Sequence, residues 1–165
     1  MPGEFERLRE AASEMSCWYL WPVVELAIET AMRKGELLSL KWCYIDFEKS
    51  VALLPQTKNG SPRWVPLSPP DTVSGEFLFP QYIDGISTNA NSASAALNKW
   101  MKTFLPKECV VHGMRHAFRD RLRAVNAPTD LIDQLGGWSL QSVGQGYGDG
   151  YDLDMLYSHT VCLEL

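Results

Sequence analysis

Four arginines and two histidines fall within the thirteen residues from Val111 to Arg123: His112, Arg115, His116, Arg119, Arg121 and Arg123. A guanidinium is charged at any working pH, whereas imidazole exchanges its proton near neutrality. The stretch therefore sets permanent cations beside groups that can take or give a proton. Met114, Phe118, Leu122 and Val125 recur at helical spacing and form an expected buried stripe, with His112, Arg115 and Arg119 close together along the adjacent flank. One helix thus offers an apolar face and a cationic one. The plain alternative is a solvated basic helix with a satisfied histidine, and the rest of the chain decides between the two.

The 165 residues suffice for one domain with a real core, and a hydrophobic content of 45% is ordinary for globular proteins. Cys17, Cys43, Cys109 and Cys162 are scattered without a C-x-x-C pair. That argues against a zinc ribbon or a disulfide framework and makes a reduced, cytoplasmic protein the expectation. No apolar run is long enough to span a bilayer, and residues 1–14 are charged rather than signal-like, so neither a membrane nor export is expected. A net charge of -5 speaks against a general nucleic-acid coat protein. Distribution matters more than the sum, because acidic residues gather near the ends (Glu4, Glu6, Glu10, Glu14; Asp149, Asp152, Asp154, Glu164) and leave a local cationic site between His112 and Arg123.

The elements that must position these groups follow in chain order. Glu4 to Met15 is expected as an exposed helix. Val23 to Met32 is a stronger one, with Pro22 in its first turn and Val23, Val24, Leu26, Ala27 and Ile28 as its apolar side. Gly35 is expected to break that helix and Leu37, Leu38 and Leu40 to begin a short second one. Arg33 sits at the junction, where an arginine is ordinarily a capping partner. Between Tyr44 and Leu67 the period changes: Ile45 and Phe47, then Val51, Leu53 and Leu54, then Trp64, Val65 and Leu67 predict three short antiparallel strands. Asn59-Gly60 is a hairpin turn signal that puts Lys58 at the tip, a place where lysine is usually solvated but can be levered into a groove.

Pro66, Pro69, Pro70 and Pro80 stiffen a connection, and a small polar loop from Ser87 to Ala96 precedes a helix marked by Leu97, Trp100, Met101 and Phe104. Pro128 opens a short helix from Thr129 to Leu135, which Gly136-Gly137 ends, and glycines then surround Tyr147 and Tyr151. The expected fold class is α+β, mainly α-helical, with a small three-stranded antiparallel sheet, in a single domain over residues 1–165.

Together these pieces resemble the catalytic domain of the tyrosine recombinases, the phage-integrase family. The resemblance rests on Met32-Arg33-Lys34-Gly35-Glu36-Leu37, on Lys58 in Thr57-Lys58-Asn59-Gly60, on His112-Gly113-Met114-Arg115-His116, on Leu135-Gly136-Gly137-Trp138 and on Tyr147. Trp138 follows Arg115 by 23 positions and Tyr147 follows Trp138 by nine, the arrangement expected of that family. Each motif alone is weak; five in order over most of the chain are strong. Position 138 is tryptophan where many members have histidine, an accepted variant. The N-terminal core-binding domain that completes the DNA clamp is absent from this chain, which therefore resembles an isolated catalytic half.

The resemblance implies a site-specific recombinase or integrase of a phage or mobile element, which cleaves and rejoins duplex DNA through a 3'-phosphotyrosine intermediate. Attack on a phosphodiester builds charge on its non-bridging oxygens, and Arg33 and Arg115 would grip them with bidentate geometry. Tyr147 would be the nucleophile; a phenol of ordinary pKa about 10 needs a nearby base and cations. His112 would take or relay its proton, and Lys58 would protonate the leaving 5'-oxygen. Trp138 cannot be a base, since indole offers only a donor, and would hydrogen-bond the scissile phosphate and pack the site. Glu36 would orient the site through hydrogen bonds, and His116 would either support the clamp or serve only the structure.

No metal or cofactor is expected, because the phosphotyrosine keeps the bond energy for rejoining. A metal reading of Cys109, His112 and His116 is disfavoured by the lack of a glutamate beside the first histidine and by Arg115 between them. The implied partners are double-stranded DNA and further protomers in a tetrameric synapse. Two alternatives share these features: a type IB topoisomerase that relaxes one duplex, and a DNA-binding regulator without catalysis, against which the intact residue set argues. The tail from Asp152 to Leu165, partly apolar, is expected either to dock on a neighbouring protomer, with the glycines at 144, 146, 148 and 150 as hinge, or to fold back onto its own core.

Overall fold

Helix α5 (Gly113–Ala124) is the wall between two buried apolar clusters. Its Met114 and Ala117 face a larger cluster, and its Phe118 and Leu122 face a smaller one that includes Ala31, Leu131, Leu135 and Leu156. The computed structural model describes residues 6–11, 20–58, 60–68, 75–85, 87–138, 150–161 and 163. In chain order the elements before α5 are α1 (residues 6–11), α2 (Trp21–Thr30), α3 (Lys34–Leu38), β1 (Ile45–Asp46), β2 (Val51–Leu54), β3 (Arg63–Pro66), β4 (Ile83–Asp84), β5 (Ser87–Thr88) and α4 (Ala90–Met101); α6 (Thr129–Gly136) and α7 (Leu153–Val161) follow it. The mainly helical α+β class and the three-stranded antiparallel sheet, ordered β1-β2-β3, are as expected.

Several local expectations are corrected. Helix α1 is not wholly exposed, because Leu8 is fully buried in the larger cluster. Helix α2 does not run to Gly35; it ends at Thr30, and Ala31 takes the left-handed conformation at φ 50°. A non-glycine residue there costs about 1–2 kcal/mol, and two side chains hold the turn. The Thr30 hydroxyl donates to the Leu26 carbonyl and accepts from the Met32 N–H at 3.3 Å, while the Ala31 carbonyl accepts from Arg115. Gly35 lies inside α3 instead.

The sheet register pairs Leu53 with Trp64 and Leu54 with Arg63. Phe47 falls just beyond β1, is exposed, and stacks on Trp42 at 6.3 Å. The segment expected as a loop from Ser87 to Ala96 forms β5 and the first turns of α4. Its alanines are strong helix formers, and Ala93 and Leu97 bury on one face. Gly85, at φ 62°, turns a β4-β5 hairpin where only an irregular connection is expected from the sequence. Val125 does not extend the buried stripe of α5; it caps that helix and is exposed.

The described part of the tail folds back onto its own chain. Asp152 caps α7, its Oδ1 accepting the Met155 N–H at 2.8 Å, and Leu156 buries with Leu131 and Leu135. Among the described residues no helix is long and apolar enough to cross a membrane.

Candidate functional site

Arg115 sits on the seam between the two clusters and is only 5% exposed. A buried guanidinium needs acceptors for its fixed fork of donors, and the ends of two helices supply them. Its Nη1 donates to the Ala31 carbonyl at the end of α2, and its Nη2 to the Gly136 carbonyl at the end of α6, at 2.8 Å. Both carbonyls lie at helix C-termini, where partial negative charge favours a cation. Burial first, then the cations of Arg33 and Arg63, depress the Arg115 pKa to about 10, which leaves it protonated at neutral pH.

Arg33 precedes α3, and its partner is Glu36, three residues on. The Glu36 carboxylate accepts the Arg33 N–H through Oε2 and the Arg33 Nη1 through Oε1, both at 2.9 Å. Arg33 Nη2 reaches across to the Gly137 carbonyl at 2.7 Å. A third guanidinium, Arg63 on β3, donates from Nη2 to Glu36 Oε2 at 2.8 Å and from Nη1 to the Leu135 carbonyl at 2.9 Å. Two guanidiniums thus bind one carboxylate and Arg115 lies within reach of its charge, so the Arg33, Arg63, Arg115 and Glu36 group carries a net charge of two positive. Such a group favours an oxyanion beside it.

A cleft next to this group is lined by Arg33, Lys34, Lys58, His112 and Arg115, with Met32, Leu37 and Leu97 among its apolar walls. Lys58 is exposed, in a turn stabilised by the Gly60 N–H to Thr57 carbonyl bond at 3.0 Å and the Thr57 hydroxyl to Ser61 carbonyl bond at 2.8 Å. His112 stands at the start of α5 and meets His116 edge to face at 5.4 Å. Partial burial, followed by His116, Arg115 and Lys34, lowers the His112 pKa below the usual 6.5. Its imidazole is therefore neutral at pH 7 and able to accept a proton. Among the described residues no group of three histidine, cysteine or acidic side chains could hold a metal.

Trp138 lies against two cations, with the Arg115 guanidinium 4.8 Å and that of Arg119 5.1 Å from its ring centroid. Asp133, buried on α6, fixes this arrangement twice: its carboxylate accepts from Arg119 Nη2 at 3.0 Å and its carbonyl accepts the Trp138 N–H at 2.9 Å. The two glycines before Trp138 have different jobs. A Cβ on Gly136 would lie 1.6 Å from the Trp138 ring, whereas Gly137 is left-handed at φ 59° and a Cβ there would come within 2.4 Å of Arg63 Nη1.

Gly136→Ala is therefore expected to displace the indole and cost about 1–3 kcal/mol, the range for overpacking. In a Trp138→Ala background the same substitution should be neutral or slightly stabilising, since alanine is the better helix former. Urea unfolding of the four proteins checks this; an equal cost in both backgrounds would show that Trp138 is not the obstacle.

Of the residues picked out from the sequence, Arg33, Lys58, His112 and Arg115 share one cleft, Glu36 binds Arg33, His116 packs on His112 and Trp138 packs on Arg115. Tyr147 lies outside the described residues. The sequence reading missed Arg63 and the role of Asp133. For Arg63 a signal existed: in a strand it shares a face with Val65, two residues on and buried.

The model of the phage integrase family matches residues 2–152. A shufflon-specific DNA recombinase of Escherichia coli is 57% identical over 49 residues, which are 30% of this chain and 13% of that protein. Among solved structures, XerA recombinase superposes with a TM-score of 0.65 at 18% identity, over 97% of this chain and 57% of the other. The Tn1549 transposon integrase in complex with circular intermediate DNA gives 0.60 at 18% identity, over 99% and 66%. The chain thus spans a small part of that recombinase and little more than half of XerA, and at these identities the structures speak for the fold alone. With a family model matched over nearly its whole length and the same fold around the arginine cleft, the chain belongs to the phage integrase family.

Proposed function

We propose that this chain is the catalytic domain of a site-specific tyrosine recombinase, which breaks and rejoins duplex DNA. The observation that carries the reading is the convergence of Arg33, Lys58, His112 and Arg115 on one cleft from distant parts of the sequence. Arg33 and Arg115 hold the non-bridging oxygens of a phosphodiester, rigidly, because each is already tied to helix-end carbonyls. Neutral His112 accepts or relays the proton of the attacking phenol, and Lys58, free to move on its exposed turn, donates a proton to the leaving 5'-oxygen. Trp138 braces Arg115 by stacking. Glu36 and His116 support Arg33 and His112 in turn.

Tyr147 is the nucleophile. Its nine-residue offset from Trp138 supports this, and so does the state of its nearest rival: a hydrogen bond to Asp130, with some burial, raises the Tyr151 pKa and disfavours the phenolate there. The DNA in the Tn1549 integrase complex supports duplex DNA as partner, and further protomers complete a synapse, for which a tetramer is the expected form.

The test is a duplex nicked just 3' of the scissile phosphate, from which the short 5'-hydroxyl product diffuses away and leaves the protein covalently bound. The adduct is expected on the peptide carrying Tyr147 and absent in Tyr147→Phe. An adduct on Tyr151, or one undiminished in Tyr147→Phe, overturns the assignment. The rate should hold from neutral pH down to below pH 6.5 and then fall as His112 takes up a proton, because a lowered pKa keeps the base form present to lower pH. Relaxation of supercoiled plasmid without recombinants would point to a topoisomerase, and binding without any adduct to a regulator.

A further inference from the structure

Arg63 is nearly as deeply buried as Arg115, yet it does not line the cleft and takes no part in the chemistry described above. Its position is nevertheless specific. The same Glu36 oxygen, Oε2, accepts both the Arg33 N–H and Arg63 Nη2, while Oε1 is bound to Arg33 Nη1. On its other side Arg63 Nη1 holds the Leu135 carbonyl, and the guanidinium fills the space that a Cβ on Gly137 would take, while the Gly137 carbonyl receives Arg33 Nη2. The contacts close a ring through α3, β3 and the end of α6.

We propose that Arg63 is a positioning residue: by clamping Glu36 and the end of α6 at once, it fixes the orientation in which Arg33 meets the cleft. Without Arg63 one carboxylate oxygen loses its side-chain partner, and Glu36 can rotate toward other donors of Arg33. The planar fork matters, because it spans two acceptors on different elements; a lysine ammonium carries the charge but cannot hold both in one plane. Burying an arginine at the first residue of an edge strand is costly in itself, which a purely structural position would avoid with an aliphatic residue.

The inference rests on the recombinase reading for its functional consequence, so its test has two readouts. The first is the single-turnover rate of adduct formation on the nicked duplex, with DNA affinity measured in parallel, for the wild type, Arg63→Lys, Glu36→Gln and the double variant. Arg63→Lys is expected to slow the adduct about 100-fold, the order seen when one transition-state donor is misplaced, with DNA affinity within about threefold because the charge is kept. The double variant should be no slower than Glu36→Gln alone, since both act through Arg33. The second readout is equilibrium binding of tungstate, a phosphate-like oxyanion, to the same four proteins, where the same sharing of losses is expected. An undiminished rate in Arg63→Lys, or losses that multiply in the double variant, overturns the proposal. If the wild type forms no adduct, the recombinase reading fails, and tungstate binding still decides the positioning role: shared losses uphold it and independent losses sink it. A folded control is supplied by thermal melting: all rates are measured below the temperature at which the least stable variant begins to unfold, so a slowed adduct cannot owe the loss to unfolding.

Discussion

Glu36→Gln should destabilise the chain by about 3–5 kcal/mol, the cost of breaking a buried ion pair by removing one partner. Glu36 is the only carboxylate touching the Arg33 and Arg63 pair among the described residues, and its side chain is 6% exposed. Glutamine keeps the shape and one acceptor oxygen, but it turns an amide NH2 toward a guanidinium and leaves Arg33, Arg63 and Arg115 without the negative charge they share. Urea unfolding at pH 7 and low salt measures the loss. Sulfate should restore part of it, and more in the variant than in the wild type, because an oxyanion in the cleft replaces the missing charge; the wild-type gain calibrates the general effect of sulfate on folding. A loss below about 1 kcal/mol, the value of an exposed pair, would show that the arginines do not depend on this carboxylate.

Arg115→Lys should separate charge from geometry. The ammonium retains a positive charge, so DNA binding should change little. It cannot bridge the Ala31 and Gly136 carbonyls while also presenting donors to the cleft. The rate of adduct formation is expected to fall about 100- to 1,000-fold, the usual effect of removing one donor to a developing oxyanion. Stability should drop by about 1–3 kcal/mol for the buried carbonyl left without a partner. Single-turnover cleavage, DNA titration and urea unfolding on the same preparation distinguish the three effects. A rate within about threefold of wild type would remove Arg115 from the transition state and leave it as a brace for α2 and α6.

The tail carries a lesson about what burial can resolve. From the sequence, its leucines could bury either on the chain's own core or on a neighbour, because hydrophobicity states that a face must be covered but not by what. In the structure Leu156 covers Leu131 and Leu135, and Gln134 holds the backbone of Tyr151 from both sides, its amide donating to the carbonyl at 2.9 Å and its oxygen accepting the N–H at 2.8 Å.

Local chemistry made much of the molecule legible in the sequence. Helical periodicity located α2 and α5, and Pro128 with Gly136-Gly137 bounded α6; the change to strand periodicity located the sheet; and Arg33, Lys58, His112, Arg115 and Trp138 were recognisable by motif and spacing, with Glu36 beside Arg33 at a distance of one helical turn. Where the reading failed, a distant partner had overridden a local preference. Gly35 looks like the break after α2, yet the turn falls at Ala31, because Thr30 and Arg115 bond that turn and outweigh the backbone cost. Arg115 falls on the cationic flank of α5, which nothing local marks as buried, yet it is buried, because the ends of α2 and α6 bring the Ala31 and Gly136 carbonyls to it. Arg63 shares a strand face with Val65, but nothing local names its partners, Glu36 and the carbonyl of Leu135, far away in the chain. Residue type and spacing determine which side chains can bind an oxyanion or move a proton. Only the tertiary structure decides which acceptors saturate those side chains and so which way the cations point, because, apart from Glu36 and Asp133, those acceptors are backbone carbonyls, identical at every residue and invisible until the helices end.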